Sequence, residues 1–180
     1  MRIGQHRRSI RLPNHDYREA GSYFLTLCTD QRLCLFGEIF DGEMSLSDYG
    51  RIAAAEWVTA TKMRSEICLD TWVVMPNHIH GIVAIAQADN HAQQAVQPKA
   101  TGVATRAPRS ISTFVSGFKA AVTKRINAVR QAPGTPVWQR NYYDHIIRNE
   151  ADLARIRNYI ETNPLRWCED QLHPNNPSKW

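Results

Sequence analysis

Two apolar strand-like runs meet at Pro76 in the middle of the chain, and the second run begins with two histidines. Proline cannot donate a hydrogen bond within a sheet, so Pro76 marks the junction of two predicted strands, 69–75 and 79–85. Because side chains alternate along a strand, His78 and His80 point to one face, about 7 Å apart. Two such imidazoles can bind one divalent metal ion, and the alternative is an unrelated polar pair on a half-exposed strand.

The other segments predict further strands and helices, with apolar periods of 2 or 3.6 residues. In chain order we predict a strand over 22–29, a hairpin over 35–44, a helix from Ser47 to about Met63, the two strands at Pro76, a helix from Ser110 or Ser112 to Pro133, a strand over 137–147 and a helix over 150–162. The residue before a proline disfavours the helical region, so Asn163-Pro164 is predicted to end the last helix and to leave Asn163 at its frayed end.

The order of these elements predicts an α+β fold of the ferredoxin-like, split β-α-β type. Its sheet is antiparallel, and one C-terminal helix trails the sheet. In this arrangement the strand that carries His78 and His80 lies centrally. Rigid neighbours then hold the two imidazoles, which suits a functional site.

Size and composition favour a single domain over residues 1–180. The chain is 43% hydrophobic, which suffices for a core and argues against global disorder. Residues 1–20 form a basic N-terminal arm, and residues 87–109, rich in Ala, Gln, Thr and Pro, are interpreted as a mobile connection. Four scattered cysteines without a Cys-x-x-Cys pair, no signal peptide and no apolar run of 18 residues predict a cytoplasmic protein with no membrane partner.

The charge distribution favours a polyanionic partner. The net charge is +5 and the pI is near 9.2. Positive residues cluster before the first acid, Asp16, and along the long predicted helix, although a solvated tail and an ordinary helix face are the alternatives. The candidate phosphate-contacting residues are Arg7, Arg8, Arg11, Lys119, Lys124, Arg125, Arg140 and Arg148.

Several segments together carry a resemblance to a known family. They are residues 8–13, 23–26, 36–38, 49–51, 73–81, 116–119, 137–148 and 159–164. From about residue 8 to residue 170, the chain resembles the single-tyrosine HUH transposases, which are named for a His-hydrophobic-His motif. Within them it is most similar to the REP-associated tyrosine transposases of bacteria.

This resemblance implies cleavage and rejoining of single-stranded DNA through a link between a tyrosine and a 5′ phosphate. The family nucleophile falls on Tyr159 of the trailing helix, and a third metal ligand falls on Asn163, one turn after it and on the same helix face as Tyr159. Together with His78 and His80 this ligand set suits Mg²⁺ or Mn²⁺. The resemblance also implies a hairpin, REP-like DNA partner and action as a monomer or a homodimer.

Several alternatives stay open at the level of the sequence. Tyr142 and Tyr143 compete with Tyr159 as nucleophile, and only the family register favours Tyr159. His145 either helps to orient the site or is an ordinary polar residue. A hairpin-binding protein without turnover is the main functional alternative. A replication initiator or relaxase is disfavoured by the short chain, and a zinc protein is disfavoured because no cysteine lies at ligand spacing from the histidines.

Overall fold

Four antiparallel strands form the central sheet. The computed structural model describes residues 19–86 and 110–176, so Arg7, Arg8, Arg11 and the predicted connection lie outside the described residues. The strands and helices are β1 (Gly21–Cys28), β2 (Gly37–Phe40), β3 (Glu43–Leu46), α1 (Asp48–Lys62), β4 (Ile67–Met75), β5 (His78–Ile85), α2 (Ile111–Val129), β6 (Tyr143–Ile147) and α3 (Glu150–Thr162). The sheet order is β4-β5-β1-β6, and β2 pairs with β3 in a separate hairpin.

The strand order is that of a ferredoxin-like split β-α-β fold, so the predicted α+β architecture is confirmed. Strand β5 pairs antiparallel with β4 on one side and with β1 on the other. The histidine strand therefore lies inside the sheet, as predicted. None of the helices in the described ranges is both long and apolar enough to cross a membrane.

Helices α1 and α2 cover one face of the sheet. Trp57 of α1 packs edge-to-face against Phe114 and Phe118 of α2, with ring centroids 5.4 and 5.0 Å apart. All three side chains belong to one buried cluster with Ile79 of β5. Burial of these apolar side chains stabilises the fold, and edge-to-face aromatic pairs add to that stabilisation. Because this cluster is the larger of the two in the described residues, it is the main core.

Helix α3 covers the opposite face of the sheet. Its apolar residues Ile156 and Ile160 pack on Phe24 of β1 and Ile82 of β5. Because side chains alternate along β5, His78 and His80 lie on this same face as Ile82. The trailing helix is therefore the element that brings its side chains to the histidine pair.

Polar side chains cap the helices at the predicted places. The Ser47 hydroxyl accepts a hydrogen bond from the Gly50 N–H at the start of α1. At the start of α2, the Ser110 hydroxyl accepts from the Thr113 N–H, which identifies Ser110 rather than Ser112 as the cap. Such caps satisfy donors that the first helical turn leaves without intrahelical partners.

The predicted strand over 137–147 is wrong in its first half, because only Tyr143–Ile147 forms β6. Trp138 makes an isolated bridge with Thr29. The Lys119 ammonium donates hydrogen bonds to the carbonyls of Gln139 and Asn141, at 2.8 and 2.9 Å. The Lys119 side chain thus binds backbone carbonyls that a continuous strand would use for hydrogen bonds to its neighbour in the sheet.

The expected frayed end at Asn163 is also wrong. Helix α3 ends at Thr162, but Asn163 keeps helical dihedral angles (φ −59°, ψ −42°) and is 2% exposed. The chain continues into a 3₁₀ helix, Pro164–Glu169. Proline suits the first turn of a helix, where its missing N–H has no partner to lose. Pro164 therefore starts a new element directly after the buried Asn163.

Gly81, directly after His80, is predicted to be intolerant of a larger side chain. A Cβ at Gly81 would lie 2.6 Å from Cζ2 of Trp57, whereas a Cβ at Gly117 on the exposed side of α2 would meet no heavy atom within 4 Å. We expect Gly81→Ala to lower the free energy of unfolding by about 1–3 kcal/mol through overpacking. Gly117→Ala should raise it by about 0.5–1 kcal/mol, because alanine favours a helix interior.

Urea denaturation of the two variants and the wild type measures both effects. The same alanine substitution is made in each case, so only the surroundings differ. A Gly81→Ala variant as stable as the wild type would show that Trp57 can move away, and would contradict the close packing of β5 on α1.

Candidate active site

The two predicted metal-binding histidines are fully enclosed on the α3 face of the sheet. His78 is 0% exposed and His80 is 2% exposed, and their ring centroids lie 4.4 Å apart. Burial lowers the pKa of both imidazoles, with the positive charge of Arg32 as a further cause for His78, whose pKa falls to about 3. Both rings are therefore neutral at pH 7, the form in which histidine binds metals.

Asn77 fixes the tautomer of His78. Its Nδ2 donates to the carbonyls of Leu172 and Arg32, at 2.8 and 3.2 Å, so its Oδ1 is left to face His78 Nδ1 at 2.8 Å. An amide oxygen only accepts, so Nδ1 carries the hydrogen. His78 Nε2 is therefore unprotonated and has a free lone pair. Within the described residues it has no hydrogen-bond partner.

His80 is held by a similar contact from the neighbouring strand. Thr26 pairs with His80 across β1 and β5, and its hydroxyl lies 2.9 Å from His80 Nδ1. The other ring nitrogen, Nε2, lies 3.2 Å from the hydroxyl of Tyr159. Polar partners of this kind on the distal nitrogen orient metal-binding histidines.

Asn163 and Asp170 complete the buried polar cluster. Asn163 Nδ2 donates to Asp170 Oδ2 at 3.0 Å, and Asp170 Oδ1 accepts from the Leu172 N–H at 2.6 Å. Because a carboxylate can only accept, this contact fixes the Asn163 amide and turns its Oδ1 elsewhere. In the part of the chain that the structure describes, this buried oxygen has no hydrogen-bond partner.

These side chains fit a divalent cation. Ligand atoms of His78, His80 and Asp170 all lie within 4.8 Å of one another. The two buried atoms left without partners in the cluster, His78 Nε2 and Asn163 Oδ1, are both acceptors. A buried acceptor without a donor costs free energy, and a cation removes that cost. Two imidazoles, a carboxylate and an amide form a mixed nitrogen and oxygen ligand set for such an ion.

Tyr159 lies beside this cluster and reaches solvent. Its side chain is on α3, 37% exposed, and its ring packs edge-on against Phe24 at 6.0 Å. Burial and the negative charge of Asp170 raise the pKa of the Tyr159 phenol well above its ordinary value. Ionisation of this hydroxyl therefore requires a positive charge nearby. The structure thus brings Tyr159, His78, His80 and Asn163 together, as the family register implies.

A bulge in β4 helps to fix α3 on the sheet. The register of β4 shifts between Leu69 and Trp72, and Asp70 in this bulge accepts hydrogen bonds from Arg157 Nε and Nη2, at 2.9 and 2.5 Å. This contact with Arg157 is the main cause that lowers the pKa of Asp70 to about 2. Bidentate pairing fixes geometry as well as charge. It holds the helix two residues before Tyr159.

His145 lies on the same face but not in the cluster. Its Nε2 lies 2.8 Å from Asp152 Oδ2 in the first turn of α3, and Arg155 contacts the other oxygen of Asp152. The imidazole therefore joins the edge strand β6 to the start of α3. The predicted role of His145 in orienting the site stays a prediction. Its Nε2 contacts Asp152 of α3 and not a predicted metal ligand.

The predicted phosphate-contacting residues are spread over several surfaces. Lys124, Arg140 and Arg148 are exposed. Arg125 pairs with Glu56 of α1 at 2.6 Å. The ammonium of Lys119 is engaged with the two backbone carbonyls described above, and burial lowers its pKa to about 8. These contacts give Lys119 a structural role, and DNA contact by each of these five residues stays a prediction.

The two competing tyrosines lie farther along the sheet. Tyr142 precedes β6 and packs on the main core with α1 and α2, away from the histidine face. Tyr143 begins β6, is 37% exposed and lies edge-on to Phe24 at 6.2 Å. Tyr159 contacts His80 directly, so the geometry favours Tyr159 as the nucleophile.

The sequence interpretation missed Asn77 and Asp170. Asn77 sits inside the strongest motif, but its partners at Arg32 and Leu172 are 45 and 95 residues away. Asp170 follows the 3₁₀ helix that the interpretation did not predict. No local spacing signals either contact. The one sequence signal for Asp170 is its position as an acid between the apolar residues Trp167 and Leu172.

Comparisons with known proteins identify relatives of this chain. No model of a known protein family matches the sequence. An uncharacterized protein of Haemophilus influenzae is 39% identical over 170 residues, which are 93% of this chain and 93% of that protein. Another protein of that species, named "Putative REP-associated tyrosine transposase", is 24% identical over 159 residues, covering 84% of this chain and 74% of its own length. The first match places the two proteins in one family.

A solved structure also shares the fold. It is the structure of a REP-associated tyrosine transposase bound to a REP hairpin, with a TM-score of 0.59 and 17% sequence identity. The match covers 95% of this chain and 91% of the other. The resemblance inferred from the sequence motifs is confirmed in sequence and in fold.

Proposed function

We propose that this chain, a relative of the REP-associated tyrosine transposases, cleaves and rejoins single-stranded DNA at hairpin elements. The nucleophile is Tyr159, which becomes linked to the 5′ phosphate of the cut strand. His78, His80 and Asn163 hold a Mg²⁺ or Mn²⁺ ion, with Asp170 beside them. The DNA is a REP-like hairpin, and the protein acts in the cytoplasm on the nucleoid.

One observation supports the proposal above all others. A tyrosine hydroxyl lies 3.2 Å from a nitrogen of the buried histidine pair. Beside that pair are two buried acceptor atoms without donors in the described residues, His78 Nε2 and Asn163 Oδ1. A protein that only binds hairpins needs neither the phenol nor the unsatisfied acceptors. Their conjunction supports phosphoryl transfer to Tyr159.

The residues divide the work of the reaction. The Tyr159 oxygen attacks phosphorus, a bond forms between them, and the bond from phosphorus to the 3′ oxygen breaks. The phenol loses its proton as this bond forms, and the 3′ oxygen leaves with the electron pair and gains one proton, so the exchange neither consumes nor releases protons overall. Attack by a 3′ hydroxyl on the tyrosine ester reverses these steps, so one phosphodiester is exchanged for another without ATP.

Charge explains why the site needs a cation. A phosphodiester repels nucleophiles, and Asp170 adds a further negative charge beside the phenol. When bound by these residues, a divalent cation would offset both charges, polarise phosphorus and favour the ionised phenol. His78 and His80 are neutral and rigidly oriented, so they donate lone pairs without adding positive charge of their own.

Denaturing gel electrophoresis tests the proposal. Wild-type protein is incubated with labelled single-stranded hairpin DNA from the genome that encodes it, with Mn²⁺ or with EDTA. We expect a covalent protein–DNA band that requires Mn²⁺. Tight binding in a native gel without any covalent band would instead support a hairpin-binding protein without turnover.

A further inference from the structure

One cationic side chain lies at the edge of the site and has no part in the chemistry above. Arg32 ends a short 3₁₀ helix, Asp30–Arg32, which follows β1. Cys28, the last residue of β1, pairs with His78 across the two strands, and the Thr29 N–H donates to the carbonyl of Asn77. The turn that carries Arg32 therefore lies beside the histidine end of β5.

The backbone of Arg32 is fixed by the same amide that orients His78. Asn77 Nδ2 donates to the Arg32 carbonyl at 3.2 Å, while Asn77 Oδ1 faces His78 Nδ1 at 2.8 Å. Thr29 also stabilises this turn, because its hydroxyl contacts the carbonyls of Leu33 and Asn77. Asn77 thus fixes the Arg32 backbone and the His78 ring relative to each other.

This turn has an unfavourable conformation for its residues. Gln31 and Arg32 have φ angles of 51° and 57°, in the left-handed region where residues with a Cβ are strained. Such strain persists only where surrounding contacts impose it, and it concentrates at functional sites. The contacts from Thr29 and Asn77 impose it here.

The guanidinium lies on the rim of the site beside the segment that follows the 3₁₀ helix 164–169. Arg32 Nη1 is 3.5 Å from the carbonyl of Gln171, the residue that follows Asp170 in the chain. A phosphate that enters between neutral histidines and a carboxylate needs positive charge on the protein side. The planar, positively charged guanidinium matches phosphate oxygens in geometry.

We infer that Arg32 binds a backbone phosphate of the DNA strand that occupies the His78–His80 site. This inference rests on the proposed function and adds a DNA-positioning residue to it. Asn77 fixes the backbone of Arg32 relative to His78. A phosphate bound by the guanidinium is therefore held near the histidines and Tyr159.

Binding measurements in EDTA test this inference separately from cleavage. The variant Arg32→Gly removes the guanidinium and suits the left-handed backbone, so its thermal stability should not fall. Arg32→Lys keeps the charge without the planar fork. Arg51→Gln is the matched control, because Arg51 is exposed on α1, which covers the opposite face of the sheet.

Fluorescence anisotropy with a mixed-sequence single-stranded oligonucleotide gives the affinity at several salt concentrations. For Arg32→Gly we expect about tenfold weaker binding, with a slope of log K against log salt that is smaller by about 0.7, the value for one phosphate contact on a single strand. Arg32→Lys should keep the slope and lose part of the affinity. Arg51→Gln should match the wild type.

The outcomes separate this inference from the proposed function. Unchanged affinity and slope in Arg32→Gly, or an equal loss in Arg51→Gln, would overturn the Arg32 contact even if the wild type forms the covalent band. A loss confined to Arg32→Gly, in a wild type that forms no covalent band with hairpin DNA, would support the contact and refute cleavage.

Discussion

Replacing Tyr159 with phenylalanine should abolish the covalent protein–DNA band while DNA affinity stays within about twofold. Only the hydroxyl 3.2 Å from His80 Nε2 is removed, and the ring can keep its edge-on contact with Phe24. Loss of a nucleophile typically costs about 10⁴-fold or more in rate. Because phenylalanine preserves the ring, the fold and the surface presented to DNA should stay unchanged.

Tyr143→Phe is the control for this substitution. Tyr143 has the same exposed fraction as Tyr159, 37%, and also packs edge-on to Phe24, but it lies on β6 rather than on α3. The control should keep the covalent band at wild-type intensity. A band that persists in Tyr159→Phe and disappears in Tyr143→Phe would move the nucleophile to the edge strand.

Replacing His78 with alanine should remove metal binding along with cleavage. His78 supplies a buried nitrogen that has no hydrogen-bond partner in the described residues and faces the other acceptors of the cluster. In the wild type, Mn²⁺ at about 100 times its Kd should raise the free energy of unfolding by about 2.7 kcal/mol. In His78→Ala this stabilisation should disappear at the same Mn²⁺ concentration.

Thermal unfolding with and without Mn²⁺ measures the effect, and only the difference for each variant is interpreted, since a buried truncation lowers stability by itself. His145→Ala is the control, because His145 contacts Asp152 rather than the cluster. It should retain the Mn²⁺ shift. If His78→Ala were stabilised by Mn²⁺ as much as the wild type, the ion would bind elsewhere.

The sequence predicts those parts of the site that follow from local periodicity. The period of a strand places His78 and His80 on one face, and the i, i+4 spacing places Tyr159 and Asn163 on one side of a helix. The structure then brings both pairs to the same side of the sheet, as Tyr159 contacts His80. Helix α3 also begins and ends at the predicted residues.

The missed parts depend on contacts between distant segments. Asn77 orients His78 only because Arg32 and Leu172 converge on it, and Asp170 orients Asn163 only because the chain turns after Glu169. Neither turn follows from local propensity. Asn163 keeps helical angles although the residue before a proline disfavours them, and its buried side chain is held by the hydrogen bond to Asp170.

The predicted strand over 137–147 is longer than β6 for a similar reason. The residues from 137 onward have strand-like composition, but the ammonium of Lys119 on α2 takes the carbonyls of Gln139 and Asn141. A contact between elements twenty residues apart thus overrides β propensity.

Peptide mapping of the covalent product tests the central claim most directly. Trypsin cleaves after Arg157 and Arg166, and the peptide 158–166 carries Tyr159 as its sole tyrosine, whereas Tyr142 and Tyr143 fall in the peptide 141–148. After incubation with hairpin DNA and Mn²⁺ and digestion of the DNA, mass spectrometry should find a nucleotide on peptide 158–166. A nucleotide on peptide 141–148, or no modified peptide, would contradict the account.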